Sequence, residues 1–248
     1  MAADRESQPV TTGTLRGGVA VLVTCEHGGN RVPAAWAPLF AGAAETLATH
    51  RGWDPGALHL ARDLAHRLRA PLRAATVTRL LVDLNRSPHH PRVFSEWTRG
   101  LSREERSGLL ARHHTLHRAA VARDVAEALR RGRRALHLAV HSFTPVLDGV
   151  RRRADLALLY DPARPLERAL CAAWARALTR ALPHLVVRRN QPYRGASDGL
   201  TTWLRRRFPA EAYLGIEVEV NQRLLGRGGR FPQEIGEALA ECLGPAVR

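Results

Sequence analysis

The chain has 248 residues and a formal net charge of +15, and every one of its basic side chains other than histidine is arginine. That length suits one domain, and no apolar run approaches the roughly 20 residues of a membrane-spanning helix. Three scattered cysteines, Cys25, Cys171 and Cys242, exclude a disulfide framework and a cysteine zinc site. The charge invites a nucleic-acid reading, but the arginines are spread along the chain and often neighbour Asp or Glu. Their clusters at Arg130–Arg134, Arg151–Arg153 and Arg205–Arg207 hold no interleaved aromatics for base stacking. An acidic small molecule is the better-supported partner, because guanidinium grips carboxylates bidentately.

Met1–Arg16 reads as a polar, flexible tail without the apolar core of a signal peptide, which points to a cytoplasmic protein. Gly17–Thr24 reads as a buried strand, followed by a glycine-containing loop at Glu26–Pro33. Ala34–Leu47 is weakly helical and interrupted by Pro38. Pro55–Arg69 is an amphipathic helix with Asp54 as a candidate N-cap. Thr76–Leu84 is expected to be the second core strand, and Ser87–Thr98 a loop. A long helix should start at Ser102, where Glu105 completes a capping box, and run to about Arg131.

Strands are expected at Ala135–Val140, Ala154–Tyr160, Leu185–Arg188 and Tyr213–Val220. Helices are expected at Leu166–Leu182, Gly199–Arg207 and Pro232–Leu243. Alternation of strands and helices predicts an α/β fold: a single domain with a mixed, mostly parallel sheet flanked by helices on both faces.

Chemistry-bearing residues gather at the predicted strand ends, where open α/β sheets place their sites. His27 follows the first strand, flanked by Glu26 and Asn30, with Gly28 and Gly29 leaving room for a ligand. His141 and Ser142 end the third. Neutral imidazole is a common zinc donor, so the two histidines together suggest a metal site. Glu217 and Glu219 share one face of the last strand. Buried carboxylates there need a partner or a metal, and either could serve as a general base. Asp54 is a helix cap or a metal ligand. Arg86, beside Asn85, could clamp a carboxylate or instead pair with Asp83. Among the helical histidines, His117 is read as lining the site, whereas His113 and His114 are not assigned. Tyr193 and Arg194 could order a substrate loop. Ser142 is a poor nucleophile candidate, lacking a glycine-flanked elbow.

Six stretches, CEHGGNRVP (Cys25–Pro33), GWDPGA (Gly52–Ala57), LVDLNR (Leu81–Arg86), AVHSFTP (Ala139–Pro145), NQPYRG (Asn190–Gly195) and EVEVNQRL (Glu217–Leu224), together resemble the N-formylglutamate amidohydrolase family. The resemblance implies a catalytic domain over residues 17–248 with a zinc-peptidase (phosphorylase/hydrolase)-like fold, similar to carboxypeptidases and aspartoacylases. It implies one Zn2+ held by His27 and His141, with Asp54 as acidic ligand and Glu26 as second choice, since the carboxypeptidase HxxE pattern is replaced here by Gly28–Gly29–Asn30. Asn85 and Arg86 become a substrate-carboxylate clamp, with Arg151–Arg153 as an alternative grip. Glu219 becomes the base, with Glu217 as runner-up. The implied activity is hydrolysis of the N-formyl or another N-acyl amide of an acidic amino acid. The competing reading is a degenerate or non-enzymatic relative that binds a polyanion through its arginines.

Overall fold

In the computed structural model, which describes residues 18–247, the elements run β1 (Val19–Cys25), α1 (Ala44–Ala48), α2 (Ala57–Arg67), β2 (Leu72–Ala74), α3 (Arg103–Leu109), α4 (Leu116–Arg130), β3 (Arg134–Phe143), β4 (Val146–Leu147), β5 (Val150–Arg151), β6 (Leu156–Leu159), α5 (Pro165–Ala181), β7 (Val187–Arg189), α6 (Leu200–Arg205), β8 (Tyr213–Asn221) and α7 (Gln233–Val247). The expected tail, Met1–Arg16, lies outside the described residues. A six-stranded sheet has the order β2-β1-β3-β8-β6-β7. Its one antiparallel pairing is β6 with β8, so the sheet is mixed and mostly parallel, as expected. β4 and β5 form a separate antiparallel ribbon that sequence reasoning did not foresee.

The two faces of the sheet differ in chemistry. On one, Val23, Leu136, Leu138, Val140, Ile216 and Val218 pack against α2, α5 and α7, with Trp174 at the centre. The apolar stripes of those helices are therefore buried, which supplies most of their stability. On the other face, Leu22, Ala135 and Tyr213 meet Val121 and Val125 of α4 and Leu200 and Leu204 of α6. By strand alternation this second face also carries Thr24, His137, His141, Glu217 and Glu219.

Two expectations fail. Thr76–Leu84 is not a strand: β2 lies earlier, and only Val77 forms an isolated bridge, to Arg31. The Thr78 hydroxyl accepts the Leu80 N–H, and Leu81 N–H donates to the Thr78 carbonyl, which turns the chain. Leu80 and Leu81 bury among Phe40 and Leu109, whereas Val82 and Leu84 bury beside Val93. A run buried on several sides looks like a core strand in sequence. The helix from Ser102 does carry its capping box, but Leu110–Thr115 forms a π-helical segment between α3 and α4.

Beneath the second face, His137 is fully buried, 2.8 Å from the Thr24 hydroxyl through Nε2 and 2.8 Å from the Tyr213 hydroxyl through Nδ1. Burial pushes its pKa from 6.5 down to about 4. The unfolded chain therefore takes up the proton first. The stability contributed by the neutral ring is complete above pH 6.5 and is lost as pH falls toward 4, a change of about 3 kcal/mol. Compared with a His137→Gln variant by urea unfolding between pH 7.5 and 4.5, the wild type is expected to lose its advantage progressively on the acid side. A stability difference independent of pH would remove His137 as its source.

Candidate metal centre

The site is assembled where the loops after β1, β3 and the Gly52–Gly56 turn meet. Gly28 and Gly29 allow the first of these contacts. A Cβ on Gly28 would lie 2.9 Å from the Ala75 carbonyl oxygen, and one on Gly29 would lie 2.7 Å from that of Thr76. These glycines thus make room for the neighbouring backbone rather than for a ligand. The His27 carbonyl accepts the Asp54 N–H (2.9 Å), and the Ser142 hydroxyl donates to the Pro55 carbonyl (2.7 Å). Ser142 therefore acts as a tether between the end of β3 and this turn. Asp54 does not cap α2: Gly56, with φ of +80°, occupies the cap position. The Asp54 side chain is left free to point at the histidines.

Asp54 Oδ2 lies 2.9 Å from His141 Nδ1 and 3.4 Å from His27 Nδ1. The opposite edges of both rings also face carboxylates. His27 Nε2 donates to Asp83 Oδ1 at 2.8 Å, and His141 Nε2 lies 3.2 Å from Glu26 Oε2. Glu26 Oε1 in turn lies 3.2 Å from His117 Nε2. Arg79 bridges Asp54 (3.2 Å) and Asp83 (2.9 Å). Beside them, Glu219 is the register partner of His141 on β8. Its Oε2 is buried without a hydrogen-bond partner, and so are Glu26 Oε2 and His141 Nε2, whose 3.2 Å approach is a close pairing rather than a directed bond.

The electrostatics follow from that crowding. Burial favours the neutral carboxyl of Asp54, yet the charge of His27 and hydrogen bonds to His141 and His27 hold its pKa below the ordinary range. Burial is likewise outweighed at Asp83 by the charges of Arg79 and His27, and at Glu26 by the hydrogen bond from His117 and the close approach of His141. At His141, the hydrogen bond to Asp54 and the close pairing with Glu26 outweigh burial and raise the imidazole well above its usual value. Glu219 has no such partner. Burial first, opposed by His141 and reinforced by Asp54 and Glu217, lifts it to about 8.

His27, Asp54 and His141 each offer one donor atom, all lying within 4.8 Å of one another, and all three residues are buried, so this group could hold a metal ion. The surroundings fit one. Each Nδ1 facing Asp54 must carry a proton or give its lone pair to a cation, and the outer Asp83 and Glu26 carboxylates suit the usual support of metal-bound histidines. A cation would also offset the charges of Asp54 and Glu217 that add to the effect of burial at Glu219.

The remaining sequence candidates separate. Glu217 accepts the Thr201 hydroxyl at 2.8 Å and is tied to α6. Asn85 Oδ1 accepts the first N–H of α6, from Leu200, at 2.7 Å. Arg86 is half-buried and does not pair with Asp83. One nitrogen reaches the Asp198 carbonyl at 3.4 Å, while its own carbonyl is held by His114 and Arg118. His117 reaches the centre through Glu26, whereas His114 is buried against the Arg86 carbonyl. Tyr193 lies against Arg152, and Arg194 is exposed. Sequence reasoning missed Arg79, and it treated Asp83 as a possible ion-pair partner of Arg86 rather than as a partner of His27. No spacing singles out Arg79. Within the arginine clusters, Arg205 is buried on Glu167, and Arg130 and Arg131 both pair with Glu127.

The profile of the N-formylglutamate amidohydrolase family matches residues 19–225. Among solved structures, a gene product of Agrobacterium tumefaciens is 28% identical with a TM-score of 0.75, covering 94% of this chain and 92% of that one. The N-formylglutamate amidohydrolase of Ralstonia eutropha is 21% identical with a TM-score of 0.61 over 93% of each chain, a likeness of fold. None of the curated proteins matches the chain. The match extends from β1 past β8 and takes in every donor of the His27–Asp54–His141 group, and the chain belongs to the N-formylglutamate amidohydrolase family.

Proposed function

We propose that the chain is a metal-dependent amidohydrolase that removes the formyl, or another small acyl, group from the nitrogen of an acidic amino acid such as N-formyl-L-glutamate. The observation that carries this reading is the turning of both Nδ1 atoms toward one Asp54 oxygen, with the unpartnered Glu219 carboxylate beside His141. The protein would be one catalytic domain over residues 17–248, and its three free cysteines suit a cytoplasmic setting.

His27, Asp54 and His141 would hold the ion, with zinc the favoured choice for two imidazoles and one carboxylate. A divalent ion in such a ligand set supplies Lewis acidity toward the amide carbonyl and acidifies a water molecule. Asp83 keeps the His27 ring oriented by accepting from its Nε2, and Glu26 faces His141 Nε2 at 3.2 Å. Glu219 takes a proton from the attacking water at Oε2 and delivers it to the amine nitrogen as the C–N bond breaks. Water and the N-acyl amino acid thereby become a carboxylic acid and a free amino acid. Arg86, whose guanidinium pairs with no carboxylate among the described residues, would receive the substrate α-carboxylate, with Asn85 fixing the loop that carries it. Glu217, bonded to Thr201, is the weaker base candidate.

Two outcomes are expected. Elemental analysis of purified wild type should find about one zinc per chain, and His141→Ala should lose most of it; a metal-free wild type after zinc supply would sink the mechanism. Glu219→Gln should keep its zinc while kcat on N-formyl-L-glutamate falls about a thousandfold. Turnover close to wild type would exclude Glu219 as the proton carrier.

A further inference from the structure

Arg152 follows the β4–β5 ribbon and is fastened through its backbone on both sides. Its N–H donates to the Pro145 carbonyl (2.9 Å), just beyond β3, and its carbonyl accepts from Asn221 Nδ2 (3.4 Å) at the end of β8. Those are the strands that bring His141 and Glu219 to the site. The guanidinium lies 4.8 Å from the centre of the Tyr193 ring and 5.7 Å from that of Phe143, and one nitrogen donates to the Tyr193 hydroxyl at 2.6 Å. Two aromatic rings and one hydrogen bond therefore hold its orientation, and the rest of the planar fork stays available.

These backbone ties set Arg152 beside the ends of β3 and β8 that carry His141 and Glu219, and the electrostatics of its neighbours agree. The Tyr193 phenol is raised by desolvation and then by the nearby charge of Glu219, with Asp54 adding a smaller push. His50 is lowered by burial and then by Arg152, Arg79 and Arg51. Of those three arginines, Arg79 is committed to Asp54 and Asp83, and Arg51 to Glu96. Arg152 pairs with no carboxylate among the described residues; its side chain meets the two aromatic rings and one hydroxyl.

We infer that Arg152 is a specificity-determining residue that receives a second carboxylate, the side-chain acid of the substrate, so that the site selects dicarboxylic over monocarboxylic N-acyl amino acids. This rests on the amidohydrolase reading above, in which Arg86 takes the α-carboxylate. With one arginine for each acid, a five-carbon diacid engages both and a five-carbon monoacid engages one.

The test is calorimetric binding of glutarate and of pentanoate to the zinc-supplied wild type, Arg152→Gln and Arg152→Lys. Wild type is expected to bind glutarate at least about tenfold more tightly than pentanoate. Arg152→Gln should bring glutarate to the pentanoate level and leave the pentanoate Kd unchanged, while Arg152→Lys restores part of the preference. A glutarate preference that survives in Arg152→Gln overturns the inference, as does an equal loss for both acids or no preference in wild type. Hydrolysis of N-formyl-L-glutamate is followed on the same preparations. A wild type without turnover removes the hydrolase reading, while the binding preference still decides the role of Arg152.

Discussion

The Asp54 carboxylate joins the parts of the molecule that carry chemistry. One of its oxygens faces both His27 and His141, and the other meets Arg79. The carboxylate thereby ties together the loop after β1, the end of β3 and the turn that carries Arg79. The arrangement is costly unless every charge is matched, because a buried ion without a partner loses several kcal/mol of solvation. That cost explains the ordered shell of Asp83, Glu26 and His117 behind the two rings. It also explains why Glu219, outside the shell, is the carboxylate that burial lifts most clearly.

A sheet with two unlike faces makes this possible. The apolar face, covered by α2, α5 and α7, provides the main core. The other face can then carry a polar row from His137 through His141 on β3, parallel to Glu217 and Glu219 on β8. Toward the interior the row ends in closed pairs, His137 with Thr24 and Tyr213. Toward the strand ends the pairs open, and Glu219 Oε2 and His141 Nε2 remain without directed partners. Structural and chemical demands are thus graded along single strands.

The parts legible in the sequence were those with a local signal. Buried strand runs, the Ser102–Glu105 box and the two histidines at strand ends each have a period or a spacing, and the structure contains those elements. The Thr76–Leu84 segment was misread because its apolar residues serve two separate clusters, which periodicity does not distinguish from one strand. Asp54 is a different case. Its place before a helix suggests a cap, but the left-handed Gly56 starts the helix and frees the carboxylate. Arg79 carries no pattern, since its partners come from a turn and from a residue 25 positions away. Long-range charge pairing has no period in sequence.

The π-helical segment between α3 and α4 has a consequence for the geometry of the long helix. A π turn holds one residue more than an α turn, so everything beyond it is rotated by about 100° relative to an uninterrupted helix. With the bulge in place, Leu109 packs toward Leu81 and Phe40, while His114 and Arg118 grip the carbonyl of Arg86 and His117 reaches Glu26. A straight α-helix through the same points could satisfy one of these ends at a time. The extra residue works as a phase shifter, letting one rod serve two surfaces that face in different directions.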